Sequence, residues 1–205
     1  MINYSHITPN SMVDGPGQRT VLFLQGCPIA CPGCQNRALW PADGGKRTDE
    51  QSLASQIMAH GSTLVTISGG EPTEQLNSLL VLVDELRALG AENIIVYSGR
   101  TFEWLLENKM ANTMLLMRKI DILVDGPFIR ELDHALINWR GSQNQRPIDC
   151  KATLANGRLE VLDWTLPEIQ VDANGNLHLP VGMAEDFAEA GEVKRSRMCG
   201  QTKPV

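Results

Sequence analysis

Three observations predict an α/β fold built on parallel strands. Short apolar, β-favouring runs alternate with helical stretches in the order strand, helix, strand, helix, strand, helix, strand, as in parallel sheets with helical crossovers. Each of the four runs leads directly into a loop rich in Gly, Cys or acidic residues. Ligands bind at that end of the strands in α/β barrels and open α/β sheets. The chain, at 205 residues with 42% hydrophobic and 20% charged residues, has the composition of a globular domain large enough to bury a core.

The elements follow in order. Residues 20–25 (TVLFLQ) read as a buried strand. Thr48 is placed to cap a helix, with Asp49 and Glu50 in its first turn, Gln51 at the capping-box position and Leu53, Ile57 and Met58 at helical spacing. Gly61 ends it. Residues 63–67 (TLVTI) form the second strand, followed by Ser68, Gly69, Gly70, Glu71 and Pro72. Pro72 suits the first turn of a helix reaching Leu89 and stopped by Gly90. Residues 93–97 (NIIVY) form the third strand and lead to Ser98, and Thr101 caps a broken helical stretch to Lys119. Residues 121–124 (DILV) form the fourth strand, with Asp125, Gly126 and Pro127 at its end. Beyond Pro147 the pattern changes. Residues 158–164 and 168–171 read as strands, 172–176 as a turn with Leu177 and Leu179 on a second arm, 184–190 as a short helix, and 191–205 as a fraying basic tail.

With 18 Lys and Arg against 24 Asp and Glu, the net charge is −6, which argues against non-specific binding to nucleic acid or anionic membranes. No apolar stretch reaches the roughly 18 residues of a membrane span, and the polar first ten residues lack the regions of a secretory signal. The expected compartment is the cytoplasm. In a reducing cytosol, a tight group of thiols points to a metal rather than disulfides. Of five cysteines, Cys27, Cys31 and Cys34 lie within eight residues, while Cys150 and Cys199 are isolated. Cys150 reads as a small buried thiol. Iron–sulfur clusters are usually held by four thiolates. Three would leave one iron open to another ligand, as an unfilled position marks catalytic zinc. The competing reading is structural zinc completed by a further Cys or His. His6, His60, His134 and His178 are scattered and receive no role.

Cys27-x-x-x-Cys31-x-x-Cys34 after the first strand, with Gly69-Gly70-Glu71-Pro72 after the second, resembles the radical S-adenosylmethionine enzymes. The stretches DGPGQRT (14–20), QGCP (25–28) and CPGCQN (31–36) resemble the activating enzymes of glycyl-radical enzymes. Asp125-Gly126-Pro127-Phe128 and Trp139-Arg140-Gly141-Ser142-x-Asn144-Gln145-Arg146 resemble in particular the branch serving anaerobic ribonucleotide reductase. The resemblance covers about residues 1–150 and implies a partial (β/α) barrel there, leaving residues 151–205 as a C-terminal extension with a small β-hairpin-like appendage.

The resemblance implies a [4Fe-4S] cluster on Cys27, Cys31 and Cys34 whose open iron binds S-adenosyl-L-methionine. One electron then cleaves the sulfonium, and the resulting 5′-deoxyadenosyl radical takes hydrogen from a glycine of a partner glycyl-radical enzyme. It implies a low-potential electron donor such as flavodoxin or ferredoxin. Ser68, Gly69, Gly70 and Glu71 would meet the ligand's amino group, Asn36 its adenosyl group or the loop backbone, and Ser98 and Asp125 its carboxylate, directly or through a monovalent cation, unless Asp125 caps the following turn. Residues 14–19 would lie near the cluster or the partner glycine, and Arg140 would bind a carboxylate or hold the C-terminal segment. The family often has an aromatic before the third cysteine; Gly33 stands there instead, as in the reductase branch. The same cofactor chemistry on a peptide or small molecule, and a non-catalytic cluster or zinc module, remain as alternatives. Arg197-Met198-Cys199-Gly200 faintly resembles the sequence around a reductase's radical glycine.

Overall fold

The computed structural model describes residues 1–134 and 137–164, and the backbone of two short strands farther on. The chain divides into two compact units, Met1–Thr165 and Leu166–Val205.

The first unit holds a seven-stranded sheet in the order β3-β1-β2-β4-β5-β6-β7. Its centre is the expected parallel set: β2 (Arg19–Leu24), β4 (Leu64–Gly69), β5 (Asn93–Tyr97) and β6 (Ile122–Asp125). Leu24 pairs with Gly69, Ile67 with Val96 and Tyr97 with Val124, so the strands end level and their loops share one rim. The sheet does not close, and an open (β/α) barrel results.

Side-chain alternation along these strands builds two cores. Leu22, Leu24, Ile67, Ile94, Val96 and Leu123 face the helices α1 (Glu50–Met58), α2 (Leu76–Ala88) and α3 (Phe102–Met117). Each such burial stabilises by about 1.5–3 kcal/mol. Ile95, Ile122 and Val124 pack on the concave face with Trp164. Arg19 lies there too, 1% exposed. Its guanidinium donates to Thr66 Oγ1, to the carbonyls of Pro16, Val65 and Asn93, and to Asn93 Oδ1. Burial lowers its pKa to about 10. The stretch 14–19 therefore divides: Asp14 reaches the cavity described below, whereas Arg19 ties three strands together inside the sheet.

Three edge elements depart from the expected all-parallel set. β1 (Ile2–Ser11) and β3 (Lys46–Thr48) extend one edge antiparallel, and β7 (Arg146–Asp149) the other. Irregular pairing at Tyr4/His6 and Thr8/Ser11 breaks β1's two-residue period, so its polar sequence carries little strand signal. β7 contains Pro147, tolerated because β7 is an edge. Asp49 rather than Thr48 caps α1, accepting from the Ser52 N–H at 2.8 Å; Thr48 ends β3. Pro72–Gln75 form a 3₁₀ turn before α2, and α3 breaks at Lys109.

The first unit runs past residue 150, where the sequence reading ended the barrel, and includes α4 (Cys150–Asn156). Residues 158–164 do not form the expected strand; Val161 makes only an isolated bridge to Ile148. In the second unit, β8 (Gln170–Val171) pairs antiparallel with β9 (Leu177–His178), two arms of the expected hairpin. Residues 168–169, the turn at 172–176, Leu179, the helix expected at 184–190, and the tail with Arg197–Gly200 lie outside the described residues. No helix among the described residues is long and apolar enough to cross a membrane.

Candidate functional site

The cysteine loop leaves β2 and is held from two sides. The Gly26 and Cys27 N–H groups donate to the carbonyls of Leu39 and Trp40, at 2.8 and 3.0 Å. From β4, the Gly70 N–H donates to the Leu24 carbonyl and the Glu71 N–H to the Gly26 carbonyl, each at 2.8 Å. This contact requires both glycines. Gly69 has φ +104°, and a Cβ there would strike the Leu24 backbone; a Cβ on Gly70 would overlap the Gly26 carbonyl. The Gly-Gly pair thus locks the two loops together.

Cys27, Cys31 and Cys34 are free and half-buried. The Cys34 N–H donates to the Cys31 carbonyl at 3.1 Å, and the Asn36 N–H points at Cys34 Sγ at 3.4 Å. Burial pushes the Cys27 thiol pKa up; a bound metal would oppose that, because coordinated thiols are deprotonated. Among the described residues, no group of three or more His, Cys, Asp or Glu side chains closes on the geometry of a single ion. The three thiols instead share the wall of an open cavity of about 530 Å³.

Asn36, Ser68, Gly69, Gly70, Glu71 and Ser98 line the same cavity. Glu71 is 1% exposed. Its Oε1 accepts from the Thr73 N–H and Oγ1 and from Ser98 Oγ, and its Oε2 from the Gly99 N–H at 2.7 Å. Burial raises its pKa, while those four donors favour the charged form. Ser98 thus reaches the site by bonding Glu71, and joins the ends of β4 and β5. The Asn36 side chain does not cap the 3₁₀ turn it precedes.

Asp125 is placed differently. It is fully buried and absent from the cavity wall. Its carboxylate accepts from the Phe102 N–H at 2.6 Å and pairs with both Nε and Nη2 of Arg146, at 2.9 and 2.5 Å. Arg146 also grips Glu103.

The segment at 139–146 clasps the loop after β6. Gln145 Oε1 accepts from the Gly141 and Ser142 N–H groups while its Nε2 donates to the Gly126 carbonyl. Asn144 Nδ2 donates to the Pro127 carbonyl, and Ser142 Oγ accepts from the Ile129 N–H. The clasp presents Trp139, at φ +50°, and Arg140 to the cavity. The Arg140 Nη1 donates to the Gln145 carbonyl, but its buried Nε has no partner. Tyr97, Phe128, Ile137 and the exposed Met12 and Val13 complete the wall. Phe128 belongs to the Asp125–Phe128 stretch that carries the resemblance; local spacing does not single out Tyr97, Ile137, Met12 or Val13, although Tyr97 directly precedes Ser98 at the end of β5.

The family described as the 4Fe-4S single cluster domain matches residues 13–148. The anaerobic ribonucleoside-triphosphate reductase-activating protein of Escherichia coli K12 is 34% identical over 155 residues, 70% of this chain and 96% of that one. Its namesake from Enterobacteria phage T4 is 33% identical over 151 residues, 71% of this chain and 92% of the other. The Vibrio cholerae protein of that name is 33% identical over 152 residues, at 70% and 96% coverage. Among solved structures, QueE from Escherichia coli is similar over 49% of this chain and 53% of its own, at TM-score 0.40 and 23% identity. With its matched region spanning both motif loops of the cavity and nearly the whole length of these relatives, the chain belongs to the 4Fe-4S single cluster domain family and to the family of anaerobic ribonucleoside-triphosphate reductase-activating proteins.

Proposed function

We propose that this protein is a radical S-adenosylmethionine enzyme that places a glycyl radical on anaerobic ribonucleotide reductase. The observation that carries the reading is one cavity walled by three free thiols and by Gly69, Gly70 and Glu71. The donor set fits a [4Fe-4S] cluster: three free thiols share one cavity wall, and three thiolates leave one iron for another ligand. When bound, the cluster supplies the electron that cleaves the sulfonium of S-adenosylmethionine.

Cys27, Cys31 and Cys34 hold the cluster. The Ser68–Gly70 backbone accepts from the ligand's ammonium, and Glu71 adds negative charge behind it. Four donors hold the Glu71 carboxylate in one position before the ligand arrives, so little reorganisation is needed. Asn36 serves the adenosyl group. Arg140, with a buried Nε free to donate, suits the ligand's carboxylate. Phe128, Ile137 and Trp139 exclude water from the reacting atoms. Ser98 positions Glu71, and Asp125 positions Arg146 and the start of α3 rather than touching the ligand.

The remaining partner is a low-potential electron donor, flavodoxin or ferredoxin. A net charge of −6 disfavours nucleic acid and anionic membranes as partners, and the cytoplasm supplies both protein partners.

The test is anaerobic reconstitution with iron and sulfide, reduction, and addition of S-adenosylmethionine and the reductase. The expected products are 5′-deoxyadenosine and methionine, with cleavage stimulated by the reductase. A colourless protein with stoichiometric zinc and no cleavage would overturn the reading.

A further inference from the structure

A second cavity of about 490 Å³ lies behind the cysteine loop, with Arg47 and Glu74 as its charged side chains; Glu74 is already paired with Lys109 and Arg100. Two residues, Cys27 and Trp40, line both this cavity and the thiol-walled one. A single layer of protein therefore separates a thiol of the cysteine loop from an outer hollow. The Trp40 backbone carbonyl accepts from the Cys27 N–H at 3.0 Å, and the exposed Arg37 guanidinium lies over the indole at 5.1 Å.

The surface beside the hollow is cationic, in a chain of net charge −6. Arg37, Lys46 and Arg47 are exposed. None makes a salt bridge among the described residues. Lys46 and Arg47 sit on β3, the edge strand of the sheet. Asp43 is the one acidic residue from 35 to 48. Arg37 and Lys46 rest on the Trp40 and Tyr4 rings, which leaves their charge unneutralised, and exposed cations at an edge attract an acidic partner and steer its approach.

We infer that this face, with Arg37, Lys46 and Arg47 around the Trp40–Cys27 wall, is the docking site of an acidic, low-potential one-electron carrier protein. The inference rests on the proposed function, which requires an electron but does not say where it enters. Electron transfer falls steeply with distance, so a carrier must approach the cysteine loop, and this side leaves the other cavity open to substrate. The step balances simply: the carrier's anionic flavin hydroquinone would become the neutral semiquinone by losing one electron and no proton, and the cluster would take that electron, from 2+ to 1+.

The test uses reconstituted full-length protein and an acidic flavodoxin. Two quantities are read at low salt: the Kd for oxidised flavodoxin, and the rate of cluster bleaching by flavodoxin hydroquinone in stopped flow. Changing Arg37→Glu, Lys46→Glu and Arg47→Glu together should weaken binding and slow bleaching by about tenfold or more, and flatten their salt dependence. Reduction by dithionite, and the cleavage it drives, should stay within about twofold of the unmodified protein. Arg130→Glu is the spatial control, since Arg130 packs against Gly33 on another side of the cysteine loop; it should change neither quantity by more than about twofold. A triple variant that binds and is reduced normally, or an equal loss in Arg130→Glu, would overturn the docking site. Failure of dithionite-driven cleavage in the unmodified protein would contradict the catalytic reading alone, and the Kd comparison would still decide the docking.

Discussion

Glu71 and Asp125 are both buried acids at the C-terminal ends of parallel strands, yet they do different work. Glu71 lies on the cavity wall, bonded among the described residues by neutral donors from Thr73, Ser98 and Gly99. Its charge is oriented but not neutralised. Asp125 is turned off the wall and neutralised by Arg146. The difference teaches that a place at the strand ends supplies opportunity, while the sign of the neighbours decides whether an acid serves a ligand or the fold.

Substitutions can break or sharpen this contrast. The largest effect belongs to the loop that Glu71 faces. Cys31→Ala should abolish the reduced-cluster signal in electron paramagnetic resonance and all S-adenosylmethionine cleavage, with circular dichroism unchanged; a retained four-iron signal would refute the ligand assignment. Next, Glu71→Gln should weaken S-adenosylmethionine binding by roughly 100-fold, about 2.7 kcal/mol, because the amide has no charge and turns donors toward the Thr73 or Gly99 N–H. Equilibrium dialysis would read it. Asp125→Ala should do the reverse: about 2–3 kcal/mol of stability lost by denaturant titration, since Arg146 and the Phe102 N–H lose their acceptor, with ligand affinity within about threefold. Equal effects of the two substitutions on affinity would erase the distinction.

The smallest effect concerns the opposite end of β6. Burial of Asp121 disfavours its charge, but bonds from Lys151, the Ile94 N–H and Arg87 outweigh it, and its pKa is lowered. A lowered carboxylate pKa contributes stability that is present above the unfolded value of about 3.9 and lost as pH falls through the folded value. Acid titration followed by circular dichroism should therefore show a loss below about pH 4 that Asp121→Asn flattens.

This contrast also marks what local sequence can carry. The parallel strands were readable because buried strands are continuous apolar runs, as at 20–25 and 93–97. β1 was not, because irregular pairing and polar, part-exposed residues remove its alternation; Pro147 likewise disguised β7 as a break. The thiols and Gly69-Gly70-Glu71 were readable because their chemistry lies in spacing over a few residues. Asp125 is given a ligand role, or a turn cap, by the resemblance alone; its charge partner Arg146 lies 21 residues away, where spacing says nothing. The wall built by Tyr97, Phe128 and Trp139 has the same origin: it exists only once the clasp at 139–146 folds over the rim.

The central claim is that the site joining the cysteine loop to Glu71 makes a glycyl radical on the reductase. The direct measurement is low-temperature electron paramagnetic resonance of the reduced, reconstituted protein with S-adenosylmethionine and reductase. The account predicts a doublet on the reductase that collapses toward a singlet when its glycines carry deuterium at the α-carbon. Cleavage of S-adenosylmethionine with no such doublet would contradict it.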